Sequence, residues 1–347
     1  MRPVINIGKR KIGAGNPAYI IAEIGSNHDG DLEKAKELVR ASRYAGADAV
    51  KIQSFTAEGL LNRLKPDENG RWVAHPAYPV IERLSVPDDW HFSLMEYSKS
   101  LGISFLSAPF DIERAELLER VGVEAYKIAS GELTNEPLLK AVASFGRPVI
   151  LSTGASYLEE VRRAVEVIES LGNSEIALLH CASLYPPSYR DVNIRAMATL
   201  KDTFGCPVGF SDHTPGHTIP VAAIALGGSI IEKHITLDKN LKGLDHPYAM
   251  EVEEFKTMVQ EIRSLEEALG SGVKEPSERE IGERVGARRS IYARIDIEKG
   301  AVIDETMLKV VRHAYGLPPS DLNGLVGKTA LRSLSRDMPV RSEDICR

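Results

Sequence analysis

Eight short runs of β-branched and other apolar residues recur along the chain, and several are followed by a longer amphipathic segment. This alternation predicts parallel β-strands joined by crossover helices. The predicted strands lie at residues 19–24, 49–53, 104–107, 125–129, 149–152, 176–180, 208–211 and 230–235. Because eight such units follow one another, we expect an α/β fold of the closed (β/α)8 TIM-barrel type and not an open doubly wound sheet. The chain also lacks a G-x-G-x-x-G motif after the first strand, which disfavours a dinucleotide-binding fold.

The barrel pattern stops at residue 270, and a different pattern follows. Residues 271–286 combine Gly, Ser and Pro with alternating charges, which predicts a linker or a helix that leads out of the barrel. Residues 287–347 alternate short apolar runs with turns, which predicts a small, mostly β domain. We therefore expect a barrel over residues 1–270, the linker, and then a domain that is marginal alone by size.

Charge and apolar content exclude several classes of protein. The 347 residues include 43 Lys and Arg against 49 Asp and Glu, a net charge of −6, so a nucleic-acid partner is not expected. No apolar run approaches the roughly 18 residues of a membrane span, and the amino terminus lacks the pattern of a signal peptide. The three cysteines suggest neither a disulfide framework nor a metal cluster. We expect a soluble, cytoplasmic protein without membrane contact.

Polar side chains collect where the predicted strands end, which is where barrel enzymes bind their substrates. Successive side chains of a strand point to opposite faces, so residues two apart share a face. This alternation predicts a shared interior face for residues of five strands: Glu23 (first), Lys51 and Gln53 (second), Lys127 (fourth), Ser211 and His213 (seventh), and Glu232 and His234 (eighth). Lys233 is expected on the opposite face of the eighth strand. Any one of these residues could equally lie at the exposed rim or form a salt bridge between strands. All of them together inside one barrel would be costly without a partner, which predicts that the barrel binds a polar ligand. The long irregular connection 55–86 is expected beside this site.

Two histidines and a group of donors suggest what binds there. His213 and His234 end neighbouring strands and could share a divalent cation, although hydrogen-bonded histidines are the alternative. His180 is expected to be such a structural residue, and His28, His217 and His246 leave the ligand set open. Five residues could donate hydrogen bonds to an anionic ligand that carries one phosphate and one carboxylate: Lys51, Lys127, Ser130, Ser152 and Ser211.

Six motifs follow one another along the chain: IAEIGSNH at 21–28, KIQ at 51–53, FLSAPFD at 105–111, YKIASGE at 126–132, FSDHT at 210–214 and EKH at 232–234. Their order resembles that of the bacterial sialic acid synthase family, including legionaminic and pseudaminic acid synthases. The resemblance runs from end to end, since RRSI at 288–291 looks like the start of the antifreeze-like (SAF) β-clip domain of this family.

The resemblance implies condensation of phosphoenolpyruvate with an open-chain N-acetylated hexosamine and water, which gives a nonulosonic acid and phosphate. The acceptor is N-acetylmannosamine or a 2,4-diacetamido-6-deoxy analogue. It implies Mn²⁺ or Mg²⁺ on His213 and His234 and a further carboxylate nearby, Glu232. By this resemblance, phosphoenolpyruvate is bound by Lys51, Lys127, Ser130, Ser152 and Ser211. Glu23 and Glu132 transfer protons, and Gln53, Tyr185 and Asp245 orient the sugar.

The resemblance further implies a domain-swapped homodimer. In this family an arginine of the partner's SAF domain contacts the sugar, and Arg312 matches that position. The family pattern Arg-Pro-Gly-x-Gly is not kept, because His313 and Ala314 replace Pro-Gly before Gly316. The sugar preference is therefore left open by the sequence.

Three alternatives remain. A sialic acid 9-phosphate synthase, or another phosphoenolpyruvate-dependent sugar-acid synthase, needs cations for the acceptor phosphate, and Arg63 and Lys65 could supply them. A class I aldolase would form a Schiff base on Lys127. A non-enzymatic protein would use the barrel as a scaffold for the SAF-like domain.

Overall fold

The computed structural model describes residues 1–346, and the chain divides into two compact units, Met1–Gly270 and Ser271–Arg347. Arg347, the last residue of the predicted β domain, lies outside the described residues. None of the helices among residues 1–346 is long and apolar enough to span a membrane.

The first unit alternates strands with helices. Its strands are β1 (Val4–Ile7), β2 (Arg10–Gly13), β3 (Tyr19–Glu23), β4 (Ala49–Ser54), β5 (Leu64–Pro66), β6 (Trp72–Ala74), β7 (Ser104–Pro109), β8 (Tyr126–Ile128), β9 (Val149–Ser152), β10 (Ile176–Cys181), β11 (Val208–Asp212), β12 (Ile230–Thr236) and β13 (Met250–Glu251). Its helices are α1 (Leu32–Tyr44), α2 (Ala57–Leu60), α3 (Tyr78–Leu84), α4 (Asp88–Leu101), α5 (Ile112–Val121), α6 (Glu136–Ser144), α7 (Leu158–Glu169), α8 (Ala196–Phe204), α9 (Thr218–Ala225) and α10 (Val252–Leu269).

Eight strands form a nearly closed parallel barrel in the order β7-β4-β3-β12-β11-β10-β9-β8, and β13 adds a short pairing to β12. β7 and β8 end this order and lie beside each other. The α/β TIM-barrel fold expected from the eight repeats is confirmed, because each repeat supplies one strand of this cylinder. The parallel arrangement brings the carboxyl ends of all eight strands to one rim.

A hairpin closes the opposite end of the barrel. β1 and β2 are antiparallel, and their side chains Ile5, Ile7 and Ile12 are buried. They pack in one cluster with apolar side chains of the barrel interior: Tyr19, Ile21, Ala49, Leu106, Ala125, Ile150, Ala177, Leu179 and Ile230. Since the interior is apolar at this end, the polar interior residues are confined to the other rim.

Residue choice explains where the helices begin and end. Asp31 accepts hydrogen bonds from the N–H groups of Glu33 and Lys34 at the start of α1, and Asp111 accepts one from Arg114 at the start of α5. Gly122 ends α5 with φ +84°, a conformation that a residue with a Cβ rarely adopts. The buried faces of the helices join the outer faces of the strands in the main apolar core.

The connection 55–86, expected to be irregular, contains α2, the antiparallel pair β5 and β6, and α3. The expectation was wrong on this point because these elements are short. β5 and β6 have three residues each, all exposed, so neither carries the alternating apolar pattern of a buried strand.

The second unit contains α11 (Ile281–Gly286), the antiparallel strands β14 (Arg289–Ala293) and β15 (Leu308–Arg312), and α12 (Leu322–Leu325). Isolated bridges such as Ile297 to Leu334 extend the β structure. Ten buried apolar residues give this unit its own core. They are Ile291, Ala293, Ile297, Ile303, Leu308, Leu325, Ala330, Leu334, Val340 and Ile345.

Candidate active site

A cavity of about 380 Å³ opens at the carboxyl ends of the barrel strands. The alternation of side chains along each strand explains the polar lining of this cavity. On each strand, the residue two positions after an inward-facing apolar residue also faces inward, and at this end of the barrel those residues are mostly polar. The lining residues are Glu23, Ser26, Lys51, Gln53, Phe55, Leu60, Ile81, Leu84, Phe110, Lys127, Ala129, Ser130, Ser152, Cys181, Tyr185, Ser211, His213, Glu232, His234, Leu244, Asp245 and Tyr248.

Glu23 at the end of β3 and Lys51 on β4 form a buried ion pair in this cavity. Lys51 Nζ lies 2.8 Å from Glu23 Oε2, and Gln53 Nε2 donates to Glu23 Oε1 at 2.9 Å. Burial raises the pKa of Glu23; Lys51 opposes the rise and Glu232 adds to it. The protonated form of Glu23 is therefore favoured relative to that of a carboxyl group in water, as a proton-transfer group requires.

Glu232 on β12 lies between two lysines. Its Oε1 is 3.7 Å from Lys51 Nζ and 3.5 Å from Lys127 Nζ, and Ser211 Oγ donates to it at 3.2 Å. Burial opposes the charge of Glu232, but Lys127 and then Lys51 outweigh it and lower its pKa to about 2. When Glu23 carries a proton, this cluster of two ammonium groups and one carboxylate has a net positive charge, which suits an anionic ligand.

Three hydroxyl groups surround the turn after β9. Ser130 Oγ accepts a hydrogen bond from Gly154 N–H at 3.0 Å. The Oγ atoms of Ser152 and Ser183 are buried and have no hydrogen-bond partner among residues 1–346. A Cβ at position 154 would overlap Ser183 Oγ and lie 2.8 Å from Ser130 Oγ, so the close approach requires glycine. Buried hydroxyls without partners are costly unless a ligand bonds to them, which marks this corner as a polar subsite.

Two neutral imidazoles face each other across the ends of β11 and β12. The ring centroids of His213 and His234 are 5.4 Å apart. Burial lowers the pKa of His213 to about 3 and that of His234 to about 4, so both rings offer lone pairs at neutral pH. His234 Nδ1 is buried and has no hydrogen-bond partner in the described chain. Within residues 1–346, no cluster of three or more His, Cys, Asp or Glu side chains is arranged to hold a metal ion.

Asp245 lies beside His234 and is held by two loops. Ser26 donates to Asp245 Oδ2 through its N–H at 2.7 Å and its hydroxyl at 2.8 Å, and Tyr248 O–H donates to Oδ1 at 2.5 Å. Burial would raise the pKa of Asp245, but His234 and these donors lower it. Gly25 has φ +54°, and a Cβ there would overlap Asp245 Oδ2 and lie 3.0 Å from His234 Cε1. Glycine is therefore needed for this close packing.

Aromatic and apolar side chains complete the walls. Tyr185 is 4.3 Å from His213 and 5.4 Å from Tyr248, measured between ring centroids. An apolar wall comes from the connection 55–86 and from the residue after β7: Phe55, Leu60, Ile81, Leu84 and Phe110. The rings of Phe55 and Phe110 meet edge to face at 5.7 Å.

Twelve of the fourteen residues proposed from the sequence line this one cavity: Glu23, Lys51, Gln53, Lys127, Ser130, Ser152, Tyr185, Ser211, His213, Glu232, His234 and Asp245. Glu132 is not among the lining residues of the described chain, and its Oε2 accepts a hydrogen bond from Asn135 at 2.7 Å. Arg312 belongs to the second unit, where it is exposed at the end of β15. Lys233 lies on the opposite face of β12 from Glu232 and donates to Asp212 Oδ2 at 2.6 Å.

The other histidines have local partners. His180 Nε2 is 2.7 Å from the Val192 carbonyl oxygen, and His28 Nδ1 accepts from Gly30 N–H at 3.0 Å. His246 Nδ1 is 2.7 Å from Thr236 Oγ1. His217 Nδ1 is 2.6 Å from Glu261 Oε2. The hydrogen bonds of His180, His28 and His246 explain their positions without a ligand, and His217 is not among the described residues that line the cavity.

Sequence reasoning missed Ser26, Cys181, Tyr248 and the apolar wall. Ser26 lies within the motif at 21–28 and Cys181 ends β10 on the interior face, so motif membership and parity are signals that would have found both. Tyr248 lies three residues after Asp245, in a 3-10 turn over His246–Tyr248, and a turn of this kind has no strand periodicity to predict its direction.

Two family models match the chain. The NeuB family model matches residues 38–274, and the SAF domain model matches residues 288–345.

Known proteins resemble the chain over nearly its whole length. It is 44% identical over 336 residues to the N,N'-diacetyllegionaminic acid synthase of Legionella pneumophila, covering 94% of each chain. It is 35% identical over 341 residues to the human N-acetylneuraminate-9-phosphate synthase, covering 96% of this chain and 94% of the human one. The crystal structure of N-acetylneuraminic acid synthetase from Leptospira borgpetersenii in complex with citrate superposes with a TM-score of 0.74 at 36% identity, covering 81% of this chain and 94% of that one.

Proposed function

The chain belongs to the NeuB family and carries a SAF domain, and from this premise we propose that it is an enzyme that condenses phosphoenolpyruvate with an open-chain N-acetylated hexosamine. Carbon 3 of phosphoenolpyruvate attacks the sugar aldehyde and forms the new C–C bond, while the aldehyde oxygen takes up a proton. Water then adds to carbon 2 and loses a proton, and the tetrahedral intermediate releases phosphate by C–O cleavage. The products are a nonulosonic acid and inorganic phosphate.

The observation that carries this proposal is the pair of buried lysines around Glu232. Phosphoenolpyruvate brings a phosphate and a carboxylate into one small molecule, and Lys51 and Lys127 supply two cations at a fixed spacing about one carboxylate oxygen. The hydroxyls of Ser130, Ser152 and Ser211 add neutral donors on the same side of the cavity. Charge-assisted hydrogen bonds of this kind are stronger than neutral ones.

Glu23 is the proposed proton-transfer group. It lies in the cavity lining, its pKa is raised by burial, and Lys51 and Gln53 hold its two oxygens in place. General acid–base catalysis requires such a positioned group with a pKa nearer the working pH. Glu132, the other carboxyl group suggested from the sequence, bonds to Asn135 outside the lining, so we assign it no proton transfer.

We further propose that His213 and His234 bind a divalent cation, Mn²⁺ or Mg²⁺. The fit rests on the unpartnered Nδ1 of His234 and on the neutral state of both rings. When bound, such an ion acts as a Lewis acid toward the sugar aldehyde. Two protein ligands alone would hold such an ion weakly, so we expect complete removal by EDTA.

The residues around the cavity favour an acceptor without a phosphate group. Among the described lining residues the only cationic side chains are Lys51 and Lys127, and both are assigned above to phosphoenolpyruvate. Arg63 lies 5.1 Å from the ring of Tyr78 and is not part of the lining. The apolar wall instead suits the methyl groups of acetamido or 6-deoxy substituents.

The test is phosphate release from phosphoenolpyruvate with Mn²⁺, in which three acceptors are offered separately. They are N-acetylmannosamine, its 6-phosphate and 2,4-diacetamido-6-deoxymannose, each with an EDTA control. We expect release that depends on the metal with an unphosphorylated acceptor and a lower kcat/KM with the 6-phosphate. Release with none of the three by a folded protein would contradict the proposed function, and a preference for the 6-phosphate would identify the 9-phosphate branch instead.

We also propose a homodimer in which Arg312 of one subunit completes the site of the other. A mixing experiment tests it, because Lys127→Ala and Arg312→Ala damage different parts of the site. If the arginine acts between subunits, reassorted dimers of the two inactive variants regain about a quarter of the wild-type rate, since about half the dimers are mixed and each has one complete site. If it acts within a subunit, no activity returns, and sedimentation as a monomer contradicts the dimer itself.

One observation favours a second candidate, a class I aldolase. Burial lowers the pKa of Lys127, and its Nζ donates only at 3.4 Å to the Ile128 carbonyl oxygen, so the amine is a possible nucleophile. Borohydride trapping of a 2-keto acid on Lys127 separates the two reactions, because the condensation has no imine. A stable adduct that is absent from Lys127→Ala would support the aldolase.

A further inference from the structure

We propose that Tyr248 is a positioning residue for the acceptor sugar and that it acts through the carboxylate of Asp245. The inference rests on the proposed function, in which Asp245 orients the sugar. It adds a residue to that site which the motifs of the sequence do not mark.

The two carboxylate oxygens of Asp245 accept hydrogen bonds from two different loops. Both donors of Ser26, in the loop after β3, bond to Oδ2. On Oδ1, the bond from Tyr248 O–H at 2.5 Å is the one hydrogen bond recorded in the described chain. Loss of this hydroxyl therefore frees Oδ1 while Oδ2 stays held by Ser26, so the carboxylate loses one of the two sides on which it is fixed.

Asp245 is packed against a glycine on one side and lines the cavity on the other. Oδ2 lies so close to Gly25 that a Cβ there would overlap it. Because Asp245 is also part of the cavity lining, a carboxylate released on the Oδ1 side changes its orientation within the proposed acceptor site.

The ring of Tyr248 has a second, separable role. Its centroid is 5.1 Å from that of His234 and 6.1 Å from that of His213, in both cases in an edge-to-face arrangement. It also meets Tyr185 at 5.4 Å. The ring thus forms the wall beside both imidazoles, and phenylalanine at this position keeps the wall and removes only the hydrogen bond.

The location predicts which substrate is affected. Every recorded hydrogen bond and ring contact of Tyr248 within residues 1–346 is made with Asp245, Tyr185, His213 or His234. Lys51, Lys127 and the serine hydroxyls, assigned above to phosphoenolpyruvate, are not among these partners. Tyr248 should therefore change the KM for the acceptor and leave the KM for phosphoenolpyruvate unchanged.

The experiment measures both KM values and kcat for full-length Tyr248→Phe, with the acceptor of the panel above that gives the highest wild-type rate. We expect the acceptor KM to rise about tenfold, consistent with a lost hydrogen bond to a charged group, and the KM for phosphoenolpyruvate to stay within about twofold. Ser26→Ala, which removes one of two donors to Oδ2, should give a smaller rise in the same parameter. Tyr189→Phe is the matched control, since Tyr189 O–H donates to the Pro215 carbonyl oxygen at 3.1 Å on the same rim.

Two results would overturn the inference. One is an unchanged acceptor KM in Tyr248→Phe, and the other is an equal rise of both KM values, which a general loosening of the site would produce. In the first case, a lower melting temperature would show that the role of Tyr248 is purely structural. Failure of the proposed function is distinguishable, because the wild type itself would then release no phosphate with any acceptor.

Discussion

Lys51 Nζ lies 2.8 Å from Glu23 Oε2, and the two side chains are only 3% and 1% exposed. Removing the carboxylate of Glu23 leaves Lys51 with only the more distant Glu232, 3.7 Å away, as a counter-charge, at a cost of up to about 3–5 kcal/mol. A buried ion pair is therefore energetically costly in a barrel interior, which favours a role for this pair in the reaction. Substitutions at this site must preserve shape if their effect on chemistry is to be separated from their effect on folding.

Glu23→Gln preserves the shape of the side chain and removes its ability to exchange a proton. We expect the rate of phosphate release to fall by at least about 10², the lower range for loss of a general acid or base. Circular dichroism should remain that of the wild type. Glu175→Gln is the control, since Glu175 precedes β10 at the opposite end of the barrel, pairs with Arg2 and is not part of the described cavity lining. Wild-type turnover in Glu23→Gln would show that Glu23 is not a catalytic residue.

Lys127→Ala tests the cation that lies 3.5 Å from Glu232 Oε1. Loss of this ammonium group removes half of the positive charge proposed to hold phosphoenolpyruvate, so phosphate release should become undetectable. Binding of phosphoenolpyruvate, measured by isothermal titration calorimetry, should weaken by at least about tenfold. Lys34→Ala is a suitable control, because Lys34 pairs with Asp29 outside the cavity lining. Unchanged binding in Lys127→Ala would contradict the proposed anion site.

Gly154→Ala should distort the hydroxyl corner. The added Cβ would overlap Ser183 Oγ and lie 2.8 Å from Ser130 Oγ, so the two hydroxyls or the turn must move. We expect a destabilisation of about 1–3 kcal/mol, typical of overpacking, and a higher KM for phosphoenolpyruvate. In the neighbouring turn, a Cβ at Gly131 meets no described atom within 4 Å, so Gly131→Ala should behave as the wild type in urea unfolding and in activity. Equal behaviour of the two variants would argue against a tightly packed corner.

The Glu119–Arg147 pair predicts a pH-dependent stability. Arg147 Nε is 2.8 Å from Glu119 Oε2 and lowers the pKa of that carboxyl group below its ordinary value of 4.5. Because the pKa of Glu119 is lower in the folded than in the unfolded protein, its ionised form stabilises the fold at pH values above the unfolded-state pKa. This stabilisation is lost as the pH falls through the folded-state pKa. Arg147→Met should therefore lower the free energy of unfolding at pH 7 by up to about 1 kcal/mol, since the pair is partly exposed.

At pH 3 the same comparison by urea unfolding should show a smaller difference between the wild type and Arg147→Met. Arg162→Met, which breaks a more exposed pair with Glu159, serves as the control and should have little effect at either pH. A difference that grows toward low pH would have the opposite sign and would contradict the assigned interaction.

Periodicity was sufficient for the barrel and for most of the site. Strand alternation placed Glu23, Lys51, Lys127, Glu232 and His234 on one interior face, and the structure has them in one cavity. It was insufficient for the connection 55–86, where β5, β6 and α3 are short and largely exposed. It also gave no direction for Glu132 or Tyr248, because both lie in single 3-10 turns outside the strands.

The sequence by itself therefore determined the repeat that builds the barrel and the parity that turns particular side chains inward, because both depend on local backbone geometry. Only the tertiary structure decided which of these side chains meet. The spacing of Glu232 between two lysines and the facing imidazoles join residues from different strands or from the ends of different strands, and the hydrogen bonds of Ser26 to Asp245 join two separate loops. Those distances follow from the register and closure of the barrel, and no single segment of the chain contains that information.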